Sequence, residues 1–575
     1  MTDIRRSILW VIFGFSMILL WDKWQIHNGR PATFFPAPAG QTAPEATAGA
    51  AASPAASAAV PAASSALPGA AAAGVGGVPA AAPALPRQTT VVSTDVLRLT
   101  FDSEGGALVG ADILAHRAAT RASKNQDDKP LTLLTQTADH TYVAQTGLIG
   151  APGAAALPTH KTPMTLVPGP RELADGVDTL TVRFESPEVS GVKLAKTYTI
   201  RRGAYVLDVA HEVINASAAP VSPQLYLQLV RDGSTTANET PFYSTFTGPA
   251  VFTQAAKFQK IEFGAIDKNN ATFEKTANDG YVAMVQHYFA TAWLLDEGRA
   301  REHFARKIDQ NLYAAGLLTA VGDVAPGARQ TVTSRLFVGP QAEKVLEATA
   351  PGLELVKDYG WLTMLAKPLY WLLEKIHSLV SNWGWAIVLL VVLLKAAFYW
   401  LNATAYRSMA KMKAINPRIM EMRERLKSNP QQMQMEMMKI YREEKVNPLG
   451  GCFPIMIQIP VFIALYWVLL ASVEMRNAPW VGWITDLSSP DPYYILPLIM
   501  TVTTVIQTAL NPLPPDPLQA KLMWFMPLVF SVMFFFFPSG LVLYWITNNI
   551  LTIAQQAYIN HTMGVPLKFS MPSFK

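Results

Sequence analysis

The sequence predicts a polytopic α-helical membrane protein, an N-terminal anchor plus five C-terminal helices, carrying a large antiparallel β-sandwich domain outside the cytoplasm. Three observations lead there. Half of the 575 residues are hydrophobic and only 15% are charged, a balance too apolar for a soluble chain of this length. Apolar runs long enough to cross a bilayer crowd into the last third. Before them lies a long region written in a period of two, the mark of strands with one buried face.

Taken in order, Arg5 and Arg6 precede an apolar run from Ile8 to Trp21. A basic start with a short apolar core also suits a cleavable signal peptide. The run ends in Trp21-Asp22-Lys23-Trp24, however, with no small-x-small site close behind. Residues 1–30 are therefore read as an uncleaved anchor with its N-terminus in the cytoplasm. From Pro36 to Pro86 the chain is nearly all Ala, Pro, Gly, Ser and Val, with Glu45 its only charge. Such a stretch lacks large apolar side chains and its prolines forbid a continuous helix, so residues 31–88 read as a disordered linker.

Residues 89–350 are assigned to the β-sandwich. Runs such as Leu180–Phe184, Leu194–Ile200, Tyr205–Val209 and Gln224–Val230 alternate apolar with polar and are punctuated by Gly, Pro, Asn and Asp. A region of this size buries a core of its own. Residues 351–380 mix apolar positions with Lys357, Lys367, Glu374, Lys375 and His377, which suits an amphipathic helix lying along the membrane interface.

The expected spans are Trp385–Leu401, Phe453–Ala471, Tyr493–Leu510, Leu522–Phe537 and Leu541–Tyr558, within residues 381–575. Pro538-Ser539-Gly540 between the last two reads as a tight turn. Orientation follows from basic residues in short loops. The segment 404–448 carries Arg407, Lys411, Lys413, Arg418, Arg423, Arg425, Lys427, Lys439, Arg442 and Lys445, whereas Ser472–Pro492 has Arg476 alone beside Glu474, Asp486 and Asp491. The first loop is therefore cytoplasmic and the second is not. Counting the anchor gives six spans with both termini inside, which independently puts the β-domain outside.

Lys395 interrupts an apolar run and is expected about eight residues from the cytoplasmic end of its helix, roughly 12 Å. A central lysine costs about 2.5–3.5 kcal/mol and signals a wet cavity or a functional site; the alternative is a lysine that snorkels without a partner. None of the C-terminal spans holds an Asp or Glu, so its cation must face water, backbone carbonyls or a ligand. Gln458, Thr503, Thr504, Gln507, Thr547, Asn548, Asn549, Gln555 and Gln556 either line the same cavity or bond neighbouring helices.

The cytoplasmic segment 404–448 reads as a helical hairpin broken at Ser428-Asn429-Pro430. Met409, Met412, Ile419, Met422 and Leu426, then Met433, Met437 and Ile440, fall near helical spacing. These methionines are either hairpin core or an adaptable surface for apolar partners, and the basic outer faces are solvated or meet lipid headgroups or ribosomal RNA.

Enzyme signatures are missing. All nine histidines lie outside the C-terminal spans, and there is no H-E-x-x-H pair or G-x-x-x-x-G-K-[ST] phosphate loop. The single cysteine, Cys452, excludes an intramolecular disulfide framework and a multi-cysteine metal site.

The run Glu443-Glu-Lys-Val-Asn-Pro-Leu-Gly-Gly-Cys452-Phe-Pro-Ile-Met-Ile-Gln-Ile-Pro460 resembles a signature of the YidC family of membrane protein insertases. Asp491-Pro-Tyr-Tyr-Ile-Leu-Pro497, Phe537-Pro-Ser-Gly-Leu-Val-Leu-Tyr544 and Tyr406-Arg-Ser-Met-Ala-Lys-Met412 are similar to further motifs of that family. The resemblance implies a five-helix insertase core behind a periplasmic sandwich, in the inner membrane of a two-membrane bacterium. It implies a hydrophilic groove open to cytoplasm and lipid, with Lys395 where relatives usually carry Arg. That change keeps the charge and loses bidentate recognition.

On this resemblance Lys395, Gln458, Thr503, Thr504, Gln507, Asn548 and Asn549 are expected to line the substrate groove. Tyr544 and Trp545 would form a substrate slide, with a lipid-facing position or helix packing as their other reading. Met409, Met412, Met422, Met433 and Met437 would make hairpin contacts. No catalytic residue, cofactor or metal is expected. The implied partners are nascent membrane proteins, the Sec translocon, the ribosome (weakly, via cytoplasmic loops) and the lipid bilayer. Two rival readings are a small-anion or solute transporter using Lys395, and a sugar-active sandwich using His211, Glu212 and His287.

Overall fold

The computed structural model describes residues 87–118, 129–234, 245–426, 429–444, 453–511, 517–564 and 569. The expected anchor and the expected linker up to residue 86 lie outside them, as do residues 445–452 of the motif around Cys452. The described chain divides into a unit that ends at Asp358 and a helical unit that begins at Tyr359. The division falls eight residues beyond the expected boundary at 350, because Leu353 and Val356 on a 3-10 turn bury against the sandwich core.

The first unit holds two antiparallel sheets of nine strands each. One runs in the order Thr89–Ser93, Leu97–Asp102, Ala107–Arg117, Pro130–Gln136, Thr141–Ile149, Gln224–Asp232, Leu312–Ala320, Arg301–Asp309, Thr276–Ala277. The other runs Lys257–Lys260, Gly248–Thr253, Tyr281–Val285, Phe289–Leu294, Arg329–Pro340, Val206–Asn215, Val192–Arg201, Thr179–Glu185, Thr165–Leu166. The period of two reappears as burial. Along Val206–Asn215 the residues Leu207, Val209, His211, Val213 and Asn215 are buried and their neighbours are not. The Tyr281–Val285 strand is buried at every position, since Leu346, Ala350, Leu353 and Val356 cover its other face.

Polar bonds tie the sheets together through the apolar interior. Trp293 donates to the Gln228 carbonyl at 3.1 Å. Tyr142 donates to the Met284 carbonyl at 3.2 Å. Lys196, fully buried, donates to the carbonyls of Gly105 at 2.6 Å and Thr146 at 2.7 Å. Gly105 sits at φ +70°, and a β-carbon there would lie 2.3 Å from the His160 carbonyl oxygen, so only glycine fits the turn that receives the lysine.

The helical unit contains α1 (Thr363–Val380), α2 (Trp383–Ala397), α3 (Tyr399–Arg425), α4 (Pro430–Glu443), α5 (Phe453–Ala471), α6 (Ile495–Leu510), α7 (Pro517–Met533) and α8 (Ser539–Thr562). Their starts have local causes. The Asn382 side chain accepts from Trp385 N at 3.0 Å and caps α2, and Asn429 caps α4 with Pro430 in its first turn. α1 buries Ala366, Tyr370, Leu373 and Ile376 at helical spacing and exposes Met364, Trp371 and Leu379.

The expected span Trp385–Leu401 is corrected. α2 stops at Ala397 and the chain turns by 69° into α3, so Tyr399 and Trp400 belong to the hairpin and are exposed. Among the described residues no single helix is long and apolar enough to cross a membrane; the bent pair α2 and α3 meets that test together. Leu393, Trp400, Val502, Phe525, Phe530 and Val532 stand exposed on these helices. So broad an apolar surface requires an apolar surrounding.

Candidate functional site

The site is built where α2, α3, α5 and α8 meet. Because α2 ends at Ala397, Lys395 lies in its last turn rather than eight residues from the end. The correction changes its energetics, since unpaired carbonyls at a helix C-terminus favour a cation. The half-buried ammonium donates to the Thr552 hydroxyl on α8 at 2.8 Å.

Around that contact Val391, Leu394, Lys395, Phe398, Leu401, Asn402, Gln458, Val461, Tyr544 and Asn548 line a cleft. Its cavity volume is about 30 Å³, room for about two water molecules. Gln458 donates to the Asn548 side-chain oxygen at 2.8 Å across its wall. Lysine, asparagine and glutamine thus share a small pocket with aliphatic and aromatic walls, suited to holding one polar or anionic group at a time.

The other polar residues do not join this pocket. Asn549, one residue on from Asn548, is buried and donates to Thr503 at 3.2 Å and Thr504 at 3.0 Å, tying α8 to α6. Both threonines also return a bond to the Met500 carbonyl. Gln556 reaches the Leu510 carbonyl and the Asn511 side chain. Thr547 bonds the Leu543 carbonyl, Gln555 reaches the Tyr399 carbonyl, and Gln507 is half-buried on α6. Adjacent residues on a helix point about 100° apart, so Asn548 and Asn549 serve different neighbours.

Tyr544 is buried, stacks on Phe462 with centroids 5.8 Å apart and lines the cleft. Trp545 packs edge-on against Phe462 at 4.7 Å and lies 5.1 Å from Phe534. Both are packed rather than displayed. The exposed apolar rows are on α6 and α7, at Leu498, Val502, Phe525, Phe530 and Val532.

In the hairpin, Met412, Met422, Met433 and Met437 pack with Ile415, Ile419 and Ile440 between α3 and α4. Met409 is half-buried nearer the start of α3. The exposed methionines are Met420, Met435 and Met438. Arg418 pairs with Glu443 and Glu444 at 3.0 Å across the hairpin.

The end of the helical unit formed by 472–494 and the start of α8 is closed by hydrogen bonds. Asp491, buried, accepts from Trp483 Nε1, Tyr493 N and Leu496 N. Asp486 accepts from Asn477 N and from Ser488 and Ser489. Ser539 Oγ donates to the Ser489 carbonyl and Gly540 N to the Leu487 carbonyl. Two of the quoted motifs, around Asp491 and around Pro538, therefore meet in one seal.

Sequence reasoning missed Thr552, Asn402 and Phe398. Asn402 and Phe398 fell at the misplaced end of α2. Thr552 looks like any helical threonine until the lysine is seen against it. In the sandwich, His211 is buried against the Thr146 hydroxyl, Glu212 pairs with Arg183 and Arg329, and His287 stacks on Tyr288. The three do not converge on a site.

The chain matches the family models for the YidC periplasmic domain over residues 89–372 and for the 60Kd inner membrane protein over residues 375–565. It is 54% identical over 569 residues to the membrane protein insertase YidC of Cupriavidus necator, covering 98% of each chain. It is 53% identical over 564 residues to that of Burkholderia ambifaria, covering 98% of this chain and 99% of the relative. A crystal structure described as an active YidC insertase with its first transmembrane domain resolved is similar at 18% identity, covers 82% of this chain and 92% of that one, and has a TM-score of 0.36.

Proposed function

The chain belongs to the YidC family of inner-membrane protein insertases, with a periplasmic β-sandwich domain, and we propose that it inserts nascent membrane proteins through the Lys395 pocket. The carrying observation is a single lysine ammonium, held by one hydroxyl, in a small cleft between helices. A tail carboxylate entering the cleft meets that charge; at about 4 Å in a half-wet protein site such a pair is worth about 4 kcal/mol. The apolar segment partitions along the exposed faces of α6 and α7 into lipid, at about 25 cal/mol per Å² removed from water. The chain needs no bound fuel for this, because partitioning releases the segment and the membrane potential assists acidic tails outward, at about 2.3 kcal/mol per charge per 100 mV. No relative named above points to the solute-transporter reading.

In this reading the protein crosses the inner membrane six times. The N-terminus and the basic hairpin lie in the cytoplasm, and the Asp486–Asp491 seal lies outside. The Sec translocon, and weakly the ribosome through the basic cytoplasmic loops, are its working partners. The test is insertion of matched substrates that differ only in tail charge. Lys395→Arg should insert like wild type, Lys395→Ala should slow acidic tails by up to about a thousandfold, the full worth of that pair, and Lys395→Glu should slow them further. Equal insertion by the alanine and wild-type proteins across the series would reject the role of the charge.

A further inference from the structure

Lys395 has a named resting partner. Its ammonium donates to Thr552 Oγ1 at 2.8 Å across the gap between α2 and α8. Thr552 is buried at 4% exposure, so its hydroxyl is presented by the helix rather than borrowed from solvent. The bond joins the end of α2 to the middle of α8. A lysine has four rotatable stem bonds and three donors. Without a fixed acceptor, such a cation in the last turn of α2 would swing toward the water beyond the bend. One accepted bond to a buried oxygen is enough to hold it over the cleft.

We propose that Thr552 is a positioning residue: its hydroxyl clasps Lys395 over the cleft when no substrate is present and releases it to an incoming carboxylate. The clasp is neutral, so it orients the cation without neutralising it. A carboxylate partner would hold the lysine too strongly to exchange, and a carbonyl fixed in the backbone could not turn away. The inference rests on the reading above, in which a carboxylate tail enters this cleft.

The test uses the full chain in membranes. Thr552→Val keeps the shape without the hydroxyl, and Thr552→Ser keeps the hydroxyl. A membrane-permeant amine reagent is applied, and modification of Lys395 is compared with that of Lys411 on the hairpin by peptide mass spectrometry. The valine variant should modify Lys395 about tenfold faster relative to Lys411, the effect of losing one charge-assisted bond, and serine should stay near wild type. Equal labelling of valine and wild type, or serine labelling as fast as valine, would overturn the clasp. If the valine chain does not accumulate, Thr552→Ala takes its place. Failure of both to accumulate beside a stable serine chain would mean that the hydroxyl holds the bundle together, and would overturn it too. The labelling does not depend on insertion. Faster labelling in valine with normal insertion by Lys395→Ala would leave the clasp standing and remove the role of the charge.

Discussion

Lys196 in one unit is fully buried and Lys395 in the other is half-buried, and their surroundings differ in one respect. Lys196 in the sandwich is caged by two backbone carbonyls belonging to the opposite sheet, at 2.6 and 2.7 Å. Lys395 in the helical unit has one side-chain hydroxyl, at 2.8 Å, and a cleft beside it. Fixed acceptors on the backbone make a cation part of the architecture; one mobile acceptor next to space leaves it free to exchange partners. The same residue type thus serves as a rivet in one unit and, on the proposed function, as a working charge in the other.

The largest effect that would sharpen this contrast is acid. Burial pushes His160 and His211, both near Lys196, down to about 3 from the ordinary 6.5. The fold therefore keeps both neutral while the unfolded chain charges them. Their contribution is whole above pH 6.5 and is lost as pH falls through that value toward 3. At pH 5 each withholds about 2 kcal/mol, about 4 kcal/mol together. Hydrogen exchange in Val192–Arg201 should accelerate between pH 7 and 5 beyond the intrinsic change, and α2 should not follow it; parallel behaviour would break the comparison.

Next comes the cage itself. Lys196→Ala opens a void and leaves the carbonyls of Gly105 and Thr146 without their donor. Burial holds the Lys196 amine down at about 7, so removing it also relieves a desolvation penalty. The void and the orphaned carbonyls outweigh that relief, for a net loss of about 3 kcal/mol. The loss should appear as weaker protection throughout the sandwich strands, with insertion retained wherever the chain accumulates. Lys395→Met should do the reverse, leaving helix protection within about 1 kcal/mol of wild type while insertion of acidic tails falls. A methionine variant that inserts normally and unfolds easily would make Lys395 the rivet.

The smallest expected effect lies on the hairpin surface. Arg418 pairs with Glu443 and Glu444, and all three are exposed. Arg418→Ala should shift hairpin stability by less than about 1 kcal/mol, measured by exchange in α4. A larger loss would mean that surface charges hold the hairpin, rather than the Met422 and Ile419 core.

Much of this was legible in single residues. Lys395 announced itself as an ion in an apolar run. Period-two writing marked the strands, and Leu194, Lys196, Tyr198 and Ile200 already shared one face. The paired motifs around Asp491 and Pro538 were visible as motifs, without the hydrogen bonds that join them. The end of α2 was not legible. Phe398, Tyr399, Trp400 and Leu401 continue the apolar run, and a local pattern does not register a 69° bend made by packing against α5 and α8.

The sequence by itself determined the periodicities, the charge asymmetry between loops and the presence of one lysine on an inward strand face and another in an apolar helix. Those follow from the order of side chains along a few turns. Only the tertiary structure decided what each lysine meets: Gly105 and Thr146 for one, Thr552 for the other, separated from it by 157 positions in the chain. Acceptors so distant in sequence are brought within 3 Å by the pairing of sheets and the packing of helices, which no local pattern encodes.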